Sequence, residues 1–244
     1  MNNNLNKLRY LLSSLWFCFH YLPWKQAVKL PILFVSKPLI VKAKGRVVIH
    51  GPISRGMILL GVHSDPAYEQ LTNRFVWSNE GECVFNGLFY MKVGGAIAIL
   101  KNGILILGHN ITLAPLCRIT CSNSITIGDN VRLGMEITIM DTDFHHTYNL
   151  EKDKVSSISK PIKLSKNCWV GFRCLILKGT ELPPYTIVGA YTVCNRKMEI
   201  PSYCLIAGAP ASIKVKGIAR LLDDNVSAAE IDELRKQYQN EERF

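Results

Sequence analysis

Residues 162–194 read IKLSKN-CWVGFR-CLILKG-TELPPY-TIVGAY-TVC, a run in which apolar side chains return every six residues. As far as residue 206, the third positions of eight successive units are occupied by seven aliphatic residues and one cysteine: Leu164, Val170, Ile176, Leu182, Val188, Cys194, Ile200 and Ile206. A second inward set lies two positions ahead, starting at Ile162 and Cys168. Helices repeat every 3.6 residues and strands every two, so neither explains this period. The spacing predicts a coil in which each unit forms one short strand and one corner.

The same spacing occurs earlier in the chain. Its positions are Leu107, Leu113, Ile119 and Ile125, and then, after a slip of two residues, Ile127, Leu133 and Ile139. Since side chains alternate faces with period two, this slip keeps the inward positions inward, and we interpret it as one loosened corner. Residues 42–95 are predicted to form rougher coils of the same prism. A β-sandwich with accidental spacing is the alternative, which eight consecutive matches disfavour.

Positive charge is concentrated at the N-terminus. The net formal charge is +10, and the nine basic residues of positions 1–64 precede the first acidic one, Asp65. Among them lies the apolar, aromatic-rich run 11–22, which is too short to span a membrane. Two interpretations stand: a helix on an anionic membrane surface, and a helix that covers strand edges at the end of the coil. We expect no nucleic-acid partner, because no nucleic-acid-binding motif accompanies the charge.

The chain divides into three predicted segments. They are residues 1–40, basic, apolar and helical; residues 41–215, the coil; and residues 216–244, a helical tail that a capping box at Ser227–Glu230 begins. Most of the eight cysteines fall on inward positions, and neither a secretory signal nor a C-x-x-C pair is recognised. We therefore expect a cytoplasmic protein in a reducing compartment, at the inner face of the membrane if the first interpretation of run 11–22 holds.

A polar excursion interrupts the repeat between Ile139 and Leu164. It opens with Met140-Asp141-Thr142-Asp143-Phe144-His145-His146. A loop inserted into a rigid coil is a natural place for a site. A neutral imidazole is a good general base near pH 7, and a carboxylate can hold its tautomer. Histidines and aspartates are common in solvated loops, and from composition alone an ordinary solvated loop is the favoured explanation.

Three pieces of sequence resemble the hexapeptide-repeat acyltransferases, and within them the maltose/galactoside and polysaccharide O-acetyltransferase group. The pieces are 127–134 leading into 141–145, 167–171 leading into 176–179, and 188–190 leading into 206–211. The resemblance implies an all-β fold: a left-handed parallel β-helix with a protruding catalytic loop, an N-terminal amphipathic helical segment and a C-terminal helix. It also implies a homotrimer.

The resemblance further implies transfer of an acetyl group from acetyl-CoA to a saccharide hydroxyl in capsular or lipopolysaccharide biosynthesis. The acceptor would be a saccharide, with lipid-linked and polymeric forms both open. His145 is then the catalytic base, with His146 its less favoured neighbour, and Asp141 or Asp143 orients it. No metal is expected.

By the same resemblance, the coenzyme lies along the outside of the later coils. The pantetheine contacts would be Trp169, Gly171, Phe172, Gly189 and Ala190, and the phosphate contacts Arg196, Lys197 and Lys214. The chain departs from the family here: residues 190–201 are longer than usual, and Ser212 stands where a basic residue is common, with Lys214 or Lys216 as substitutes. Ordinary solvated lysines explain these cations as well as phosphate contacts do.

Three other functions compete with this one. An amino-sugar acceptor would make the protein an N-acetyltransferase. A metal-dependent hydratase resembling the γ-type carbonic anhydrases needs three histidines, for which His109, His145 and His146 are candidates, but a further downstream histidine is missing. A non-catalytic β-helix scaffold would lack the acidic and histidine residues of the loop.

Overall fold

The computed structural model of the chain describes residues 3–63, 74–221 and 227–241. Outside these ranges lie Asp65 and, from the predicted N- and C-terminal segments, residues 1–2, 222–226 and 242–244. Helices α1 (Asn3–Tyr21) and α2 (Trp24–Ala27) precede the strands, and α3 (Ala228–Glu241) follows them. In chain order the strands are β1 (Ile32–Phe34), β2 (Pro38–Ala43), β3 (Arg46–Ile49), β4 (Ile58–Val62), β5 (Phe75–Asn79), β6 (Glu82–Phe85), β7 (Phe89–Lys92), β8 (Ala96–Ile99), β9 (Ile104–Leu107), β10 (Ile111–Leu113), β11 (Arg118–Cys121), β12 (Ser124–Ile127), β13 (Arg132–Leu133), β14 (Thr138–Met140), β15 (Tyr148–Asn149), β16 (Lys154–Val155), β17 (Ile162–Leu164), β18 (Trp169–Val170), β19 (Leu175–Leu177), β20 (Glu181–Leu182), β21 (Ile187–Val188), β22 (Val193–Cys194), β23 (Cys204–Ala207) and β24 (Ser212–Lys216).

Three parallel sheets form the walls of a prism. As far as β22, successive strands go to the three walls in turn, and the excursion strands β15 and β16 stand outside them. Wall one runs β1-β4-β7-β10-β13-β18-β21-β23, with β24 antiparallel at its edge; wall two runs β2-β5-β8-β11-β14-β19-β22; wall three runs β3-β6-β9-β12-β17-β20. This is a parallel β-helix, and the rougher coils predicted for residues 42–95 belong to it.

Predicted inward positions form the core. Seven of the eight residues in the hexad row from Leu164 to Ile206 are buried, and Ile200 is partly buried against them. Along wall three, Leu107 pairs with Ile127, Ile127 with Leu164, and Leu164 with Leu182. Each coil therefore places an aliphatic side chain above that of the previous coil, where apolar burial stabilises the stack.

Side chains of the second inward set donate hydrogen bonds to backbone carbonyl groups at the corners. Cys168 Sγ and Thr186 Oγ1 both donate to Pro183 O, at 3.2 and 2.8 Å, and Cys174 Sγ and Thr192 Oγ1 both donate to Gly189 O, at 3.0 and 2.6 Å. Small donors are needed because carbonyl groups at buried corners must be hydrogen-bonded. Burial also raises the pKa of the Cys168 thiol to about 12, which leaves it protonated at neutral pH.

The slip of two residues in the hexad spacing corresponds to a longer strand in wall two, β11. β11 carries one further inward residue, Cys121, which pairs with Ile99 below it, as Ile99 pairs with Asn79. Asp141, at the end of β14, stands next in this column, because Met140 pairs with Thr120. The loosened corner thus leads directly to the aspartate that opens the polar excursion.

Helix α1 packs into the core beside the first strands, and α3 lies against corner residues of the later coils. Phe17 of α1 is fully buried, with its ring 5.1 Å from that of Phe34 and 5.2 Å from that of Trp77. Helix α3 is capped by Ser227 Oγ, which accepts from Glu230 N at 3.1 Å, and Gln237 accepts from Tyr185 Oη at 2.6 Å. Strand β1 and the start of β2 lie within residues 1–40, so the first coil begins before residue 41. Across the described ranges, every helix is too short or too polar to cross a membrane.

Candidate active site

The polar excursion forms an arm, residues 143–159. At its base Thr142 bridges Ser159, Asp143 N donates to Ile158 O at 2.9 Å, and Lys160 N donates to Asp141 O at 3.0 Å. Further out, β15 and β16 pair as an antiparallel hairpin. Residues 143–157 are all exposed. The arm is therefore anchored by backbone hydrogen bonds and stands out from the prism.

Asp141 lies inside the corner where the arm begins. Its side chain is fully buried, and its carboxylate accepts from Ser122 N at 2.7 Å and from Asn123 N at 2.8 Å. Asn79, lower in the same column, accepts in the same way from Gly81 N at 3.0 Å. Both side chains replace backbone partners that a corner cannot supply. Asp141 therefore holds the corner together.

His145 is exposed on the arm, four residues after Asp141. Phe144, directly before it, has φ +61°, a left-handed conformation that is uncommon for a bulky residue. Phe144 N donates to Thr142 Oγ1 at 3.1 Å, which supports this turn. Among the described residues the His145 ring makes no hydrogen bond, whereas His146 Nδ1 lies 3.4 Å from Ser156 O across the arm. No hydrogen bond from the His145 imidazole to an aspartate is therefore formed within the described chain.

Lys178 joins the arm to the prism. Its ammonium lies 2.5 Å from Asp143 Oδ2 and donates to Ser157 O at 2.5 Å. These groups line a cleft of about 540 Å³ together with Lys152, Lys154 and Lys160. One carboxylate among four ammonium groups gives the cleft an excess of positive charge. This cleft was not predicted from the sequence, although the lysines on either side of Glu151 and Asp153 indicate a basic surface.

The predicted pantetheine contacts lie on wall one and at its corner with wall two. Trp169 is partly exposed on β18, and Gly171 and Gly189 stack at the corner after β18 and β21. A Cβ on Gly171 would lie 2.9 Å from Ala190 N and from Val188 O. The next coil therefore occupies the space beside Gly171, and a glycine is needed there for the coils to stack.

An aromatic and charged cluster beside this corner went unpredicted. The rings of Phe172 and Tyr191 lie 5.6 Å apart, and the Arg173 guanidinium lies 4.7 Å from the Phe172 centroid. Arg173 also pairs with Glu136 at 2.7 Å and donates to Tyr191 Oη at 3.1 Å. Sequence order hides the cluster, since its members come from three successive coils.

Two of the predicted phosphate contacts, Lys197 and Lys214, lie on different walls of the prism. Lys197 lies beside Glu181 on wall three, with 3.5 Å between their charged groups. Lys214 lies on β24 at the edge of wall one, and Arg196 is exposed after β22.

The three histidines that a metal-dependent hydratase would need lie in different parts of the fold. His109 lies at another corner, where its Nδ1 accepts from Leu88 N at 3.4 Å, whereas His145 and His146 lie on the arm. Within residues 3–63, 74–221 and 227–241, no three His, Cys, Asp or Glu side chains are grouped as a metal site would require.

Comparisons with known proteins confirm the resemblance to the hexapeptide-repeat acyltransferases and the parallel β-helix fold. The chain is 26% identical over 128 residues to the polysialic acid O-acetyltransferase of Escherichia coli O1:K1 / APEC. This match covers 52% of this chain and 41% of that protein. It is also 26% identical over 145 residues to WbbJ of Escherichia coli K12, a putative lipopolysaccharide biosynthesis O-acetyl transferase. That match covers 55% of this chain and 72% of WbbJ.

Among solved structures, the chain shares its fold with the polysialic-acid-specific acetyltransferase NeuO. The TM-score is 0.58 at 16% identity, over 86% of each chain. The match to the polysialic acid enzyme thus spans less than half of that relative's length, whereas the NeuO fold is matched over most of its chain. No family model matches the chain.

Proposed function

We propose that this chain is an acetyl-CoA-dependent O-acetyltransferase that acts on a saccharide hydroxyl in capsular polysaccharide or lipopolysaccharide biosynthesis. The observation that carries the proposal is His145, exposed on a backbone-anchored arm of a β-helix whose sequence relatives are O-acetyltransferases. Backbone hydrogen bonds hold the foot of the arm, and the His145 imidazole makes no hydrogen bond among the described residues. Such a side chain suits a general base that must accept a proton from a substrate hydroxyl.

His145 accepts the proton of the sugar hydroxyl as the hydroxyl oxygen attacks. Acetyl-CoA supplies an activated acetyl thioester, so transfer needs no Ser or Cys nucleophile on the protein. The buried thiols are unsuited to that role, because burial raises the pKa of Cys117, Cys121 and Cys194, like that of Cys168, to about 12. The hydroxyl oxygen forms the ester bond to the acetyl carbon, the carbon–sulfur bond of the thioester breaks, and the proton taken by His145 passes to the departing thiolate of the coenzyme.

Asp143 is the aspartate we assign to orient His145. Both oxygens of Asp141 already accept backbone hydrogen bonds inside the corner. Asp143 lies at the base of the arm, and Oδ2 is the oxygen that contacts Lys178. Lys178 would hold the carboxylate in place, while the other oxygen stays available to the imidazole.

Acetyl-CoA would lie against the predicted contacts Trp169, Gly171, Phe172, Gly189 and Ala190. The partly exposed face of Trp169 supports this placement, because an apolar surface there suits a pantetheine arm. Arg196, Lys197 and Lys214 remain the proposed phosphate contacts, and Lys197 would have to exchange Glu181 for a phosphate.

The active form would be a homotrimer with sites between subunits. Phe144, Leu150 and Val155 on the arm are exposed, and a neighbouring subunit would cover such apolar side chains. The basic cleft beside the arm favours an acceptor saccharide that carries carboxylate or phosphate groups.

The test is acetyl transfer to saccharides with and without acidic groups, followed as release of free coenzyme thiol. We expect an acetyl ester on the acceptor that mild alkali removes, and faster transfer to the acidic saccharide at low salt. An alkali-stable amide on an amino sugar would replace the proposal with N-acetylation. No transfer to either acceptor by a light-scattering-verified trimer would contradict it.

A further inference from the structure

Helix α1 has apolar side chains on two opposite faces. One face packs on the prism through Ser14, Phe17 and Cys18, all fully buried. The other carries Leu12, Trp16 and Phe19, which are 58, 47 and 41% exposed. At 100° per residue these two sets lie on opposite sides of the helix. A surface helix ordinarily presents polar residues to water, so an apolar outer face indicates a partner.

The outer apolar face continues onto α2. The rings of Phe19 and Trp24 lie 5.1 Å apart, and Trp24 is 72% exposed. Val28, one turn further along, is also exposed. We call Leu12, Trp16, Phe19, Trp24 and Val28 the outer stripe. It is a continuous apolar surface held on a helix whose inner face is fixed in the core.

Unpaired lysines flank the outer stripe. Lys25 and Lys29 directly follow Trp24 and Val28 and are exposed, as are Lys37 and Lys44. Among the described residues these four form no ion pair, whereas Lys42 and Arg46 face Glu80 and Glu82. The first 63 residues contain no Asp or Glu, so nothing in this part of the sequence offsets the charge.

We propose that the outer stripe docks this protein on an anionic lipid surface. The tryptophans and leucine enter the headgroup region, and the lysines contact lipid phosphates. A second copy of the chain is the other occupant to consider. It would bring the same lysines against one another, and such like-charge contact is unfavourable. The inference rests on α1 and α2 alone and holds whether or not the chain transfers acetyl groups.

Vesicle co-sedimentation of the full chain tests the proposal. Vesicles of phosphatidylglycerol and phosphatidylcholine should bind the protein, and vesicles of phosphatidylcholine alone should bind it far less. Trp16→Ser and Trp24→Ser should each lower binding at least about tenfold, since each removes a large inserted side chain. Trp169→Ser, a similarly exposed tryptophan on wall one, is the matched control and should bind normally.

The charge is tested separately. Lys25→Gln/Lys29→Gln should weaken binding about 20- to 30-fold at low salt, about fivefold per lysine, whereas Lys163→Gln/Lys166→Gln should not. Equal binding by the stripe variants and Trp169→Ser would overturn the proposal. So would a full chain that ignores anionic vesicles but loses self-association, measured by light scattering, on Trp24→Ser. Because Trp24 is mostly exposed, Trp24→Ser keeps the test valid if Trp16→Ser does not fold.

Discussion

Asp141 and His145 are four residues apart, and their surroundings are opposite. Asp141 is buried with both carboxylate oxygens on backbone amides, whereas His145 is exposed on an arm. The same short motif therefore contains one residue that builds the prism and one that faces outward. Proximity in a motif does not make two residues partners, and burial separates their roles.

The largest expected effect is on His145. His145→Ala should lower turnover at least about a hundredfold, the usual scale for loss of a general base, with little change in coenzyme binding or melting temperature. His146→Ala is the matched control, because His146 lies against Ser156 O. Steady-state kinetics decide between them, and a dead His146→Ala beside an active His145→Ala would reverse the assignment.

Asp141→Ala should act on stability. It leaves the amides of Ser122 and Asn123 without their acceptor inside the prism, which should lower the free energy of unfolding by about 2–4 kcal/mol. Urea unfolding measures this. Asp143→Ala is the exposed comparison, where loss of a surface ion pair should cost at most about 1 kcal/mol. Equal losses would show that the corner does not depend on Asp141.

A smaller effect separates two glycines of one corner. Gly171→Ala should destabilise by about 1–3 kcal/mol, because its Cβ meets fixed backbone at 2.9 Å. Gly189→Ala should be milder, since its nearest neighbour is the Ala207 Cβ at 3.1 Å. Thermal unfolding compares the two. If both variants fold normally but lose coenzyme affinity, the glycines serve the ligand rather than the stack.

The last comparison concerns alkaline stability. A free thiol loses its proton near pH 8.5, but burial raises the pKa of Cys117, Cys121, Cys168 and Cys194 to about 12. Above pH 8.5 the unfolded chain therefore binds fewer protons than the folded one, and stability falls until about pH 12. Urea midpoints from pH 8 to 11 should show this fall, with a shallower slope in Cys168→Ala. Identical slopes would contradict burial of that thiol.

The period of six predicted the coils because each hexad repeats one local rule, an inward aliphatic residue before a corner. Leu164 and Val170 follow that rule, and their burial needed no knowledge of distant contacts. The role of Asp141 was not accessible in this way, since it depends on Ser122 and Asn123 one coil below. The cluster of Arg173, Glu136 and Tyr191 was hidden for the same reason. The interruption of the repeat predicted where the arm lies. The positive charge of the cleft beside the arm depends on the contact between Lys178 and the arm, which joins two distant parts of the sequence.

We expect the corner at Asp141 to hold the fold and the arm to perform the chemistry. The direct measurement is turnover per folded molecule for His145→Ala and Asp141→Ala, with the folded fraction taken from circular dichroism of the same samples. For His145→Ala we expect a loss of at least about a hundredfold at an unchanged melting temperature. For Asp141→Ala we expect a lowered melting temperature with turnover per folded molecule within about tenfold of the original chain. A stable but inactive Asp141→Ala, or a His145→Ala that keeps its turnover, would contradict this expectation.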